Sequence, residues 1–232
     1  FLIDNDFVEA EKFDLIIIDE AQDLIKENYL DIFDNILKNG LKNGDFAFYG
    51  DFTNQAIFNN TQKSLLDLLN SRTYFTKVPE LTINCRNTKR ISQQNTLITQ
   101  VNKPSNFDTQ LEGEPVHIEF VPANTINEFI EVELNHLYNK KFPISKISIL
   151  SFKSLEKSSL IKNTYIEKLQ KKGLTFTSVQ SYKGLENTIV FLIDLPDFSD
   201  TNFTNLLYVG ISRARLKLYL YIDEKNKNAF IN

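Results

Sequence analysis

Apolar residues along this chain fall into two alternating spacings. Short apolar runs too brief for a helix recur at about residues 14–19, 45–50, 74–78, 116–121, 146–151, 175–179, 188–194 and 216–222. Such runs, rich in β-branched and aromatic types and bounded by turn residues, predict strands. Between them, apolar positions at helical spacing predict helices at about 22–38, 62–71, 88–101, 125–140, 155–172 and 203–213. Strand and helix in alternation predict an α/β fold with a mainly parallel sheet. The run Leu15-Ile-Ile-Ile18 is expected to be a strand buried on both faces.

Polar residues interrupt the pattern where ligands meet such sheets, at the carboxyl ends of strands. Asp19 and Glu20 follow the first run directly. Two acids there suit a magnesium–nucleotide site, one holding the metal through its water shell and the other polarising an attacking water. Gly50, Asp51 and Gln55 follow the second run, in Gly50-Asp-Phe-Thr-Asn-Gln55. An Asp- and Asn-rich turn is the plainer reading of that segment. The stretch around Lys77-Val-Pro79 suggests a boundary, with 1–76 and 77–232 as the two parts. Residues 102–115 look like a surface excursion rich in turn formers.

Composition narrows the class. The 232 residues hold 42% hydrophobic and 24% charged positions, ordinary for a globular protein of one or two domains. No apolar run reaches the roughly 18 residues of a membrane span, and the first residues have no basic or apolar leader pattern, so no membrane partner is expected. The single cysteine, Cys85, allows no intrachain disulfide and fits a reducing cytoplasmic setting. One Cys and two His do not suffice for a structural zinc site. Net charge is −4, which argues against a protein that simply coats nucleic acid. Met is absent throughout, so the chain is expected to be part of a longer protein.

Three further segments carry chemistry. In Asn84-Cys-Arg86-Asn-Thr88, an Arg after an extended run can clamp a phosphate in two-pronged fashion. Pairing of Arg86 with a surface acid is the bland alternative. Ser178-Val-Gln180-Ser181-Tyr-Lys183-Gly-Leu-Glu186 joins two strands and offers hydroxyls, an amide and a cation to a phosphodiester backbone. Leu207-Tyr-Val-Gly-Ile-Ser-Arg213-Ala-Arg215 reads as a helix ending in two arginines, which the helix dipole favours in any case.

Taken in order, Leu15 to Gln22, Gly50 to Gln55, Asn84 to Arg86, Gln180 to Glu186 and Tyr208 to Arg213 resemble motifs II, III, IV, V and VI of UvrD/Rep-like superfamily 1 DNA helicases. The resemblance implies a RecA-like P-loop NTPase fold, three-layer α/β/α, with 1–76 as the end of one motor domain and 77–232 as a complete second one. It implies ATP and Mg²⁺ as cofactors, single-stranded or partly duplex DNA as partner (RNA remaining open), and the rest of a helicase N-terminal to Phe1. By similarity Asp19 binds Mg²⁺ and Glu20 is the catalytic base. Gln55, Arg86 and Arg213 contact the γ-phosphate, Arg213 as an arginine finger. Glu186 accepts from the ribose. Ser178, Gln180, Ser181 and Lys183 lie along the nucleic acid.

The chain departs from that pattern at several points. The spacing to Gln55 is one residue longer than the commoner form. Cys85 stands where a base-stacking Tyr is common, Gln180 replaces a His, and Ser212 replaces a Thr. Nowhere does Gly-x-x-x-x-Gly-Lys-[Ser/Thr] occur, so the phosphate loop is expected upstream and the chain alone is expected to be inactive. Residues 152–176 leave no room for the large insertion some relatives carry there. A non-catalytic docking or nucleic-acid-binding module derived from a motor is the alternative reading. A nuclease fused elsewhere is a third; Asp194 and Asp197 around Pro196 read as turn chemistry, and Phe107 or Tyr182 as occasional base-stacking candidates.

Overall fold

The computed structural model describes residues 11–50, 62–78, 81, 83–100, 111–196, 198 and 201–231. The chain forms two compact units, Phe1–Glu80 and Leu81–Asn232.

In the first unit, strands β1 (Leu15–Ile18) and β2 (Asp45–Phe48) pair in parallel, with Leu15 opposite Asp45 and Ile18 opposite Phe48. Helices α1 (Glu27–Ile36), α2 (Gly40–Asn43) and α3 (Gln62–Arg72) complete it. Ile16 packs with Ile25, Leu30, Leu37, Leu41, Leu65 and Leu69 on one side of the pair. The period-two alternation of a strand turns Leu15 and Ile17 the other way, and they are 50% and 64% exposed. The expected burial of β1 on both faces therefore holds on one face only.

Two expected elements differ here. The helix begins at Glu27 rather than near residue 22, because Glu20 is left-handed (φ 53°), Ala21–Asp23 forms a single 3₁₀ turn and Lys26 is extended. Residues 74–78 make no strand; the Thr73 hydroxyl donates to the Leu41 carbonyl, and Tyr74 and Val78 stand exposed with no strand alongside among the described residues.

The second unit is built on a five-stranded, wholly parallel sheet. Its strands are β3 (His117–Val121), β4 (Ile147–Ser151), β5 (Thr175–Ser178), β6 (Asn187–Ile193) and β7 (Ala214–Asp223), in the order β3-β7-β6-β4-β5. Helices α4 (Lys89–Thr99), α5 (Ile126–Asn139), α6 (Thr164–Gln170), α7 (Thr201–Ser212) and α8 (Lys227–Ile231) surround it. Helix α5 presents Ile126, Ile130, Leu134 and Leu137, one stripe of a 3.6-residue period. With Ile166 and Leu169 of α6 these pack on Ile147, Ile149, Ile189, Phe191, Tyr219 and Tyr221. On the other face Val190, Leu192, Leu218 and Leu220 are buried, and Gly210 lets α7 close onto Leu192 and Phe152. The unit is thus a parallel α/β structure with helices on both faces.

The helix expected at 155–172 is broken. Residues 155–157 form one 3₁₀ turn, Lys162 is left-handed (φ 63°), and α6 starts only at Thr164. Asn163 caps it by accepting from the Tyr165 and Ile166 amides at 3.0 and 3.1 Å.

The α5 face contains a stacked aromatic row. The Phe191 and Tyr219 rings lie 4.4 Å apart at 2°, and Tyr219 donates to Glu133 Oε1 at 2.6 Å. Burial first, and then the Glu133 carboxylate, raise both Tyr219 and Tyr221 far above the ordinary tyrosine range. The folded state therefore binds these protons more tightly than the unfolded chain. The stability they contribute is intact below the unfolded value of about 10 and is lost as pH rises above it. Absorbance titration at 295 nm should show at least two of the nine tyrosines, Tyr219 and Tyr221, still protonated at pH 11. Full ionisation there with the fold intact would contradict their burial.

Candidate nucleotide and nucleic-acid sites

In the first unit the carboxylate pair sits at the carboxyl end of β1. The ladder runs past the strand ends: Tyr49 donates from its amide to the Ile18 carbonyl and Ala21 from its amide to the Tyr49 carbonyl, both at 2.8 Å. The sharp left-handed turn at Glu20 leaves Asp19 exposed, where its Oδ1 accepts from the Glu20 amide at 2.9 Å. Glu20 is held by the buried Gln22 side chain, which donates to Oε2. Gly50 backs onto that amide, and a Cβ there would lie 2.1 Å from Gln22 Oε1, so a larger residue would push the Gln22 side chain away from Glu20. Asp51 and Gln55 lie outside the described residues.

Among the described residues no three His, Cys, Asp or Glu side chains gather as a metal cage. A magnesium ion carried by a nucleotide needs only one or two protein carboxylates, its other ligands being water and phosphate oxygens. The exposed Asp19 carboxylate fits that modest requirement.

The second unit brings together three segments that are remote in sequence. Asn87, nearly buried, donates through Nδ2 to the Ser212 carbonyl at 3.0 Å and to the Ala214 carbonyl at 2.6 Å. The Thr88 amide donates to the Arg215 carbonyl at 3.1 Å. The Asn187 amide donates to the Arg213 carbonyl at 3.0 Å. Arg213 is 1% exposed; its Nη1 donates to the Leu185 carbonyl and its Nε to the Val209 carbonyl, each at 3.2 Å. Segments 84–88, 185–187 and 212–215 are thereby stitched together at the edge of the sheet where β6 and β7 begin.

On that stitched backbone three side chains meet at the surface. Arg86 Nε donates to Glu186 Oε2 at 2.6 Å. Arg215 Nε lies 3.5 Å from Glu186 Oε1. Two of the sequence-predicted nucleotide residues are therefore paired with each other, and Arg215 joins them. Asn87 and Asn187 are the residues that pattern reasoning missed as organisers. Their sequence signal is weak, since an Asn near a helix start reads equally well as a cap.

The nucleic-acid candidates begin at the opposite edge. Ser178 ends β5 and aligns with Ser151, which aligns with Ile193 at the end of β6. Ile193 is six residues beyond Asn187, about 20 Å along a strand. The connection 179–186 crosses this span over β4: the Val179 amide donates to the Ser151 carbonyl, and the Tyr182 hydroxyl bonds Ser148 Oγ at 3.0 Å. Ser178 Oγ donates to Ser181 Oγ at 2.9 Å and accepts from the Ser181 amide at 3.2 Å. Gln180 and Ser181 are exposed, and Lys183 is half-buried. Tyr182 is 4% exposed, so its ring is core and not a base-stacking platform; Phe107 lies outside the described residues.

Asp194 is also not simple turn chemistry. It is a buried, left-handed residue (φ 58°) whose carboxylate accepts from Ser151 Oγ at 2.8 Å, Ser158 Oγ at 2.6 Å and the Ser159 amide at 3.1 Å. Asp197 lies outside the described residues.

Comparison with known proteins bears on the same segments. Residues 173–221 match the family model described as the UvrD-like helicase C-terminal domain. That stretch runs from β5 into β7 and includes Ser178, Gln180, Ser181, Lys183, Glu186 and Arg213. Among solved structures, the chain is similar to the C-terminal domain of a possible DNA helicase from Lactobacillus plantarum WCFS1, at 15% identity and a TM-score of 0.45, covering 61% of this chain and 89% of that one. No curated protein sequence matches. No helix among the described residues is long and apolar enough to cross a membrane. From residue 173 to residue 221 the chain is similar to the UvrD-like helicase C-terminal domain.

Proposed function

We propose that the chain is part of an ATP-dependent DNA helicase or translocase, with both units of the RecA-like type and the second acting as a motor domain. The observation that carries this reading is the stitching of segments 84–88, 185–187 and 212–215 at one sheet edge. It sets Arg86, Glu186 and Arg215 side by side on a backbone fixed by hydrogen bonds. Paired guanidinium forks suit a polyphosphate, and a carboxylate between them suits a ribose hydroxyl. In the first unit Asp19 would hold Mg²⁺, and Glu20, oriented by Gln22, would take the proton from an attacking water. Gln55 belongs to the same proposed catalytic set. Arg213 enters it as the residue that fixes the Leu185 and Val209 carbonyls, with a role at the γ-phosphate as the family pattern suggests. Ser178, Gln180, Ser181 and Lys183 form the proposed contact with single-stranded DNA at the opposite edge.

Titrating the purified chain with a fluorescent ATP analogue tests the nucleotide half. Binding should weaken about tenfold on Arg86→Ala, the loss of one charge-assisted contact. Hydrolysis by this chain alone should be undetectable, because it has no phosphate-loop sequence. Nucleotide binding that ignores Arg86 would overturn this assignment, and turnover that disappears on Glu20→Gln would overturn the expected inactivity of the chain alone.

A further inference from the structure

Glu186 sits where an anionic ligand of Arg86 would go. Its carboxylate contacts Arg86 Nε at 2.6 Å and stands 3.5 Å from Arg215 Nε. We propose that Glu186 is a built-in competitor at this site. Its carboxylate pairs with Arg86, a phosphate-bearing ligand displaces that carboxylate, and Arg215 retains it afterwards. The proposal deepens the nucleotide reading above and rests on it.

Four observations carry it. First, Arg86 and Arg215 meet Glu186 through Nε alone, and among the described residues neither guanidinium has another hydrogen bond or ion pair. Their Nη groups are therefore available to phosphate oxygens, which match the planar fork better than one single-point carboxylate contact. Second, the three side chains are 38%, 38% and 58% exposed, and pairs so exposed are weak and readily exchanged.

Third, the backbones beneath them are fixed. The bonds from Asn87 to the Ser212 and Ala214 carbonyls, from Thr88 to Arg215, from Asn187 to Arg213 and from Arg213 to Leu185 tie all three segments together. Exchange then needs only rotation of side chains, with no backbone rearrangement. Fourth, the Glu186 oxygen that accepts from Arg86 Nε has one of its lone-pair directions taken, so a ribose hydroxyl approaching that oxygen competes with the guanidinium. Displacement of Arg86 by phosphate would free that oxygen for the sugar, so phosphate and ribose recognition would become coupled in one step. A second cation beside the carboxylate is what keeps this step inexpensive. Without Arg215, displacement would leave Glu186 with no counter-charge as the anion arrives.

Inorganic tripolyphosphate is the ligand for the test, because it carries the charge without the sugar. Arginine Nε–H resonances of the purified chain would be followed by heteronuclear NMR during the titration, with Arg86 and Arg215 assigned through Arg86→Lys and Arg215→Lys. The Arg86 resonance should move as the site fills. Glu186→Gln, an isosteric change at an exposed position, should bind tripolyphosphate about three- to tenfold more tightly, and Arg215→Lys, which holds the displaced carboxylate less well, should widen that gain. Equal or weaker binding by Glu186→Gln at unchanged melting temperature would overturn the exchange, as would an Arg86 resonance that stays still at saturation.

A parallel ATP titration separates the two ideas. If the exchange holds but the nucleotide reading fails, Glu186→Gln tightens tripolyphosphate while ATP binds wild type no better than tripolyphosphate does. If the nucleotide reading holds and the exchange fails, ATP binding depends on Arg86 but Glu186→Gln leaves tripolyphosphate affinity unchanged.

Discussion

Replacing Arg213 by Ala should destabilise the second unit by about 3–5 kcal/mol, the scale for truncating a large buried side chain together with its buried hydrogen bonds. Arg213 is the largest of the fully buried side chains. Its removal leaves a void and strips the Leu185 carbonyl of the Nη1 donor at 3.2 Å. The Val209 carbonyl suffers less, because the Ser212 hydroxyl also donates to it at 2.7 Å. Arg213→Lys keeps the charge but cannot span two carbonyls with one ammonium, and about 1–2 kcal/mol is the expected cost from one lost buried bond. Urea unfolding followed by circular dichroism gives both numbers. An Arg213→Ala chain within about 0.5 kcal/mol of wild type, the range of an ordinary surface change, would show that the side chain is not a structural tie. The consequence for function is practical. Loss of ATPase in a helicase carrying Arg213→Ala would not by itself identify a finger, because the strand beginnings around Asn187 and Ala214 depend on the same guanidinium. The Lys variant, folded and still cationic, is the informative comparison.

Burial of Arg213 also shows which features the sequence makes legible. Strands β4, β6 and β7 are readable because their signal is local: each is an apolar run with turn residues at its ends. Helix α5 is readable because its inward stripe recurs within fourteen residues. The motif segments are readable for the same reason. What they do in space is decided by partners far along the chain. Asn87 meets carbonyls 125 and 127 positions away, and Arg86 meets Glu186 at a separation of 100. No local spacing encodes those pairings: the sequence offers pairing of Arg86 with an acid as its bland alternative without pointing to Glu186, and it gives no sign that Arg213, read as a helix-terminal cation, is buried. Tyr182 shows the opposite error. Its neighbours Gln180, Ser181 and Gly184 are exposed, yet the ring is buried because the connection between β5 and β6 must cross β4 and its hydroxyl finds Ser148. In β1 the run Leu15–Ile18 correctly predicted a strand, but a run of uniform hydrophobicity cannot say how many faces the fold covers.

Asp194→Ala should cost about 3–4 kcal/mol, nearly as much as the loss of Arg213, from a residue that reads as an ordinary turn Asp. Each buried donor left without an acceptor costs about 1–3 kcal/mol. The Ser158 hydroxyl and the Ser159 amide both lose theirs, while Ser151 Oγ can still donate to the Lys153 carbonyl at 3.1 Å. A left-handed backbone adds roughly 1 kcal/mol for Ala, a penalty Asn largely escapes. Asp194→Asn keeps one acceptor oxygen and the shape, so it should cost about 1–2 kcal/mol, one bond's worth. Urea midpoints order the three chains, and an Ala variant as stable as the Asn variant would show that the carboxylate bonds contribute little. The Asn variant has a second use. Asp194 ties the loop after β4 at the sheet edge where Ser151 aligns with Ser178, about 20 Å from the Arg86–Glu186 pair. If that edge is the proposed DNA side, anisotropy of a labelled single strand should show weaker binding to Asp194→Asn, while its tripolyphosphate affinity stays at the wild-type value. Parallel loss of both would mean that the two edges respond as one structure, and that assigning them separate ligands is wrong.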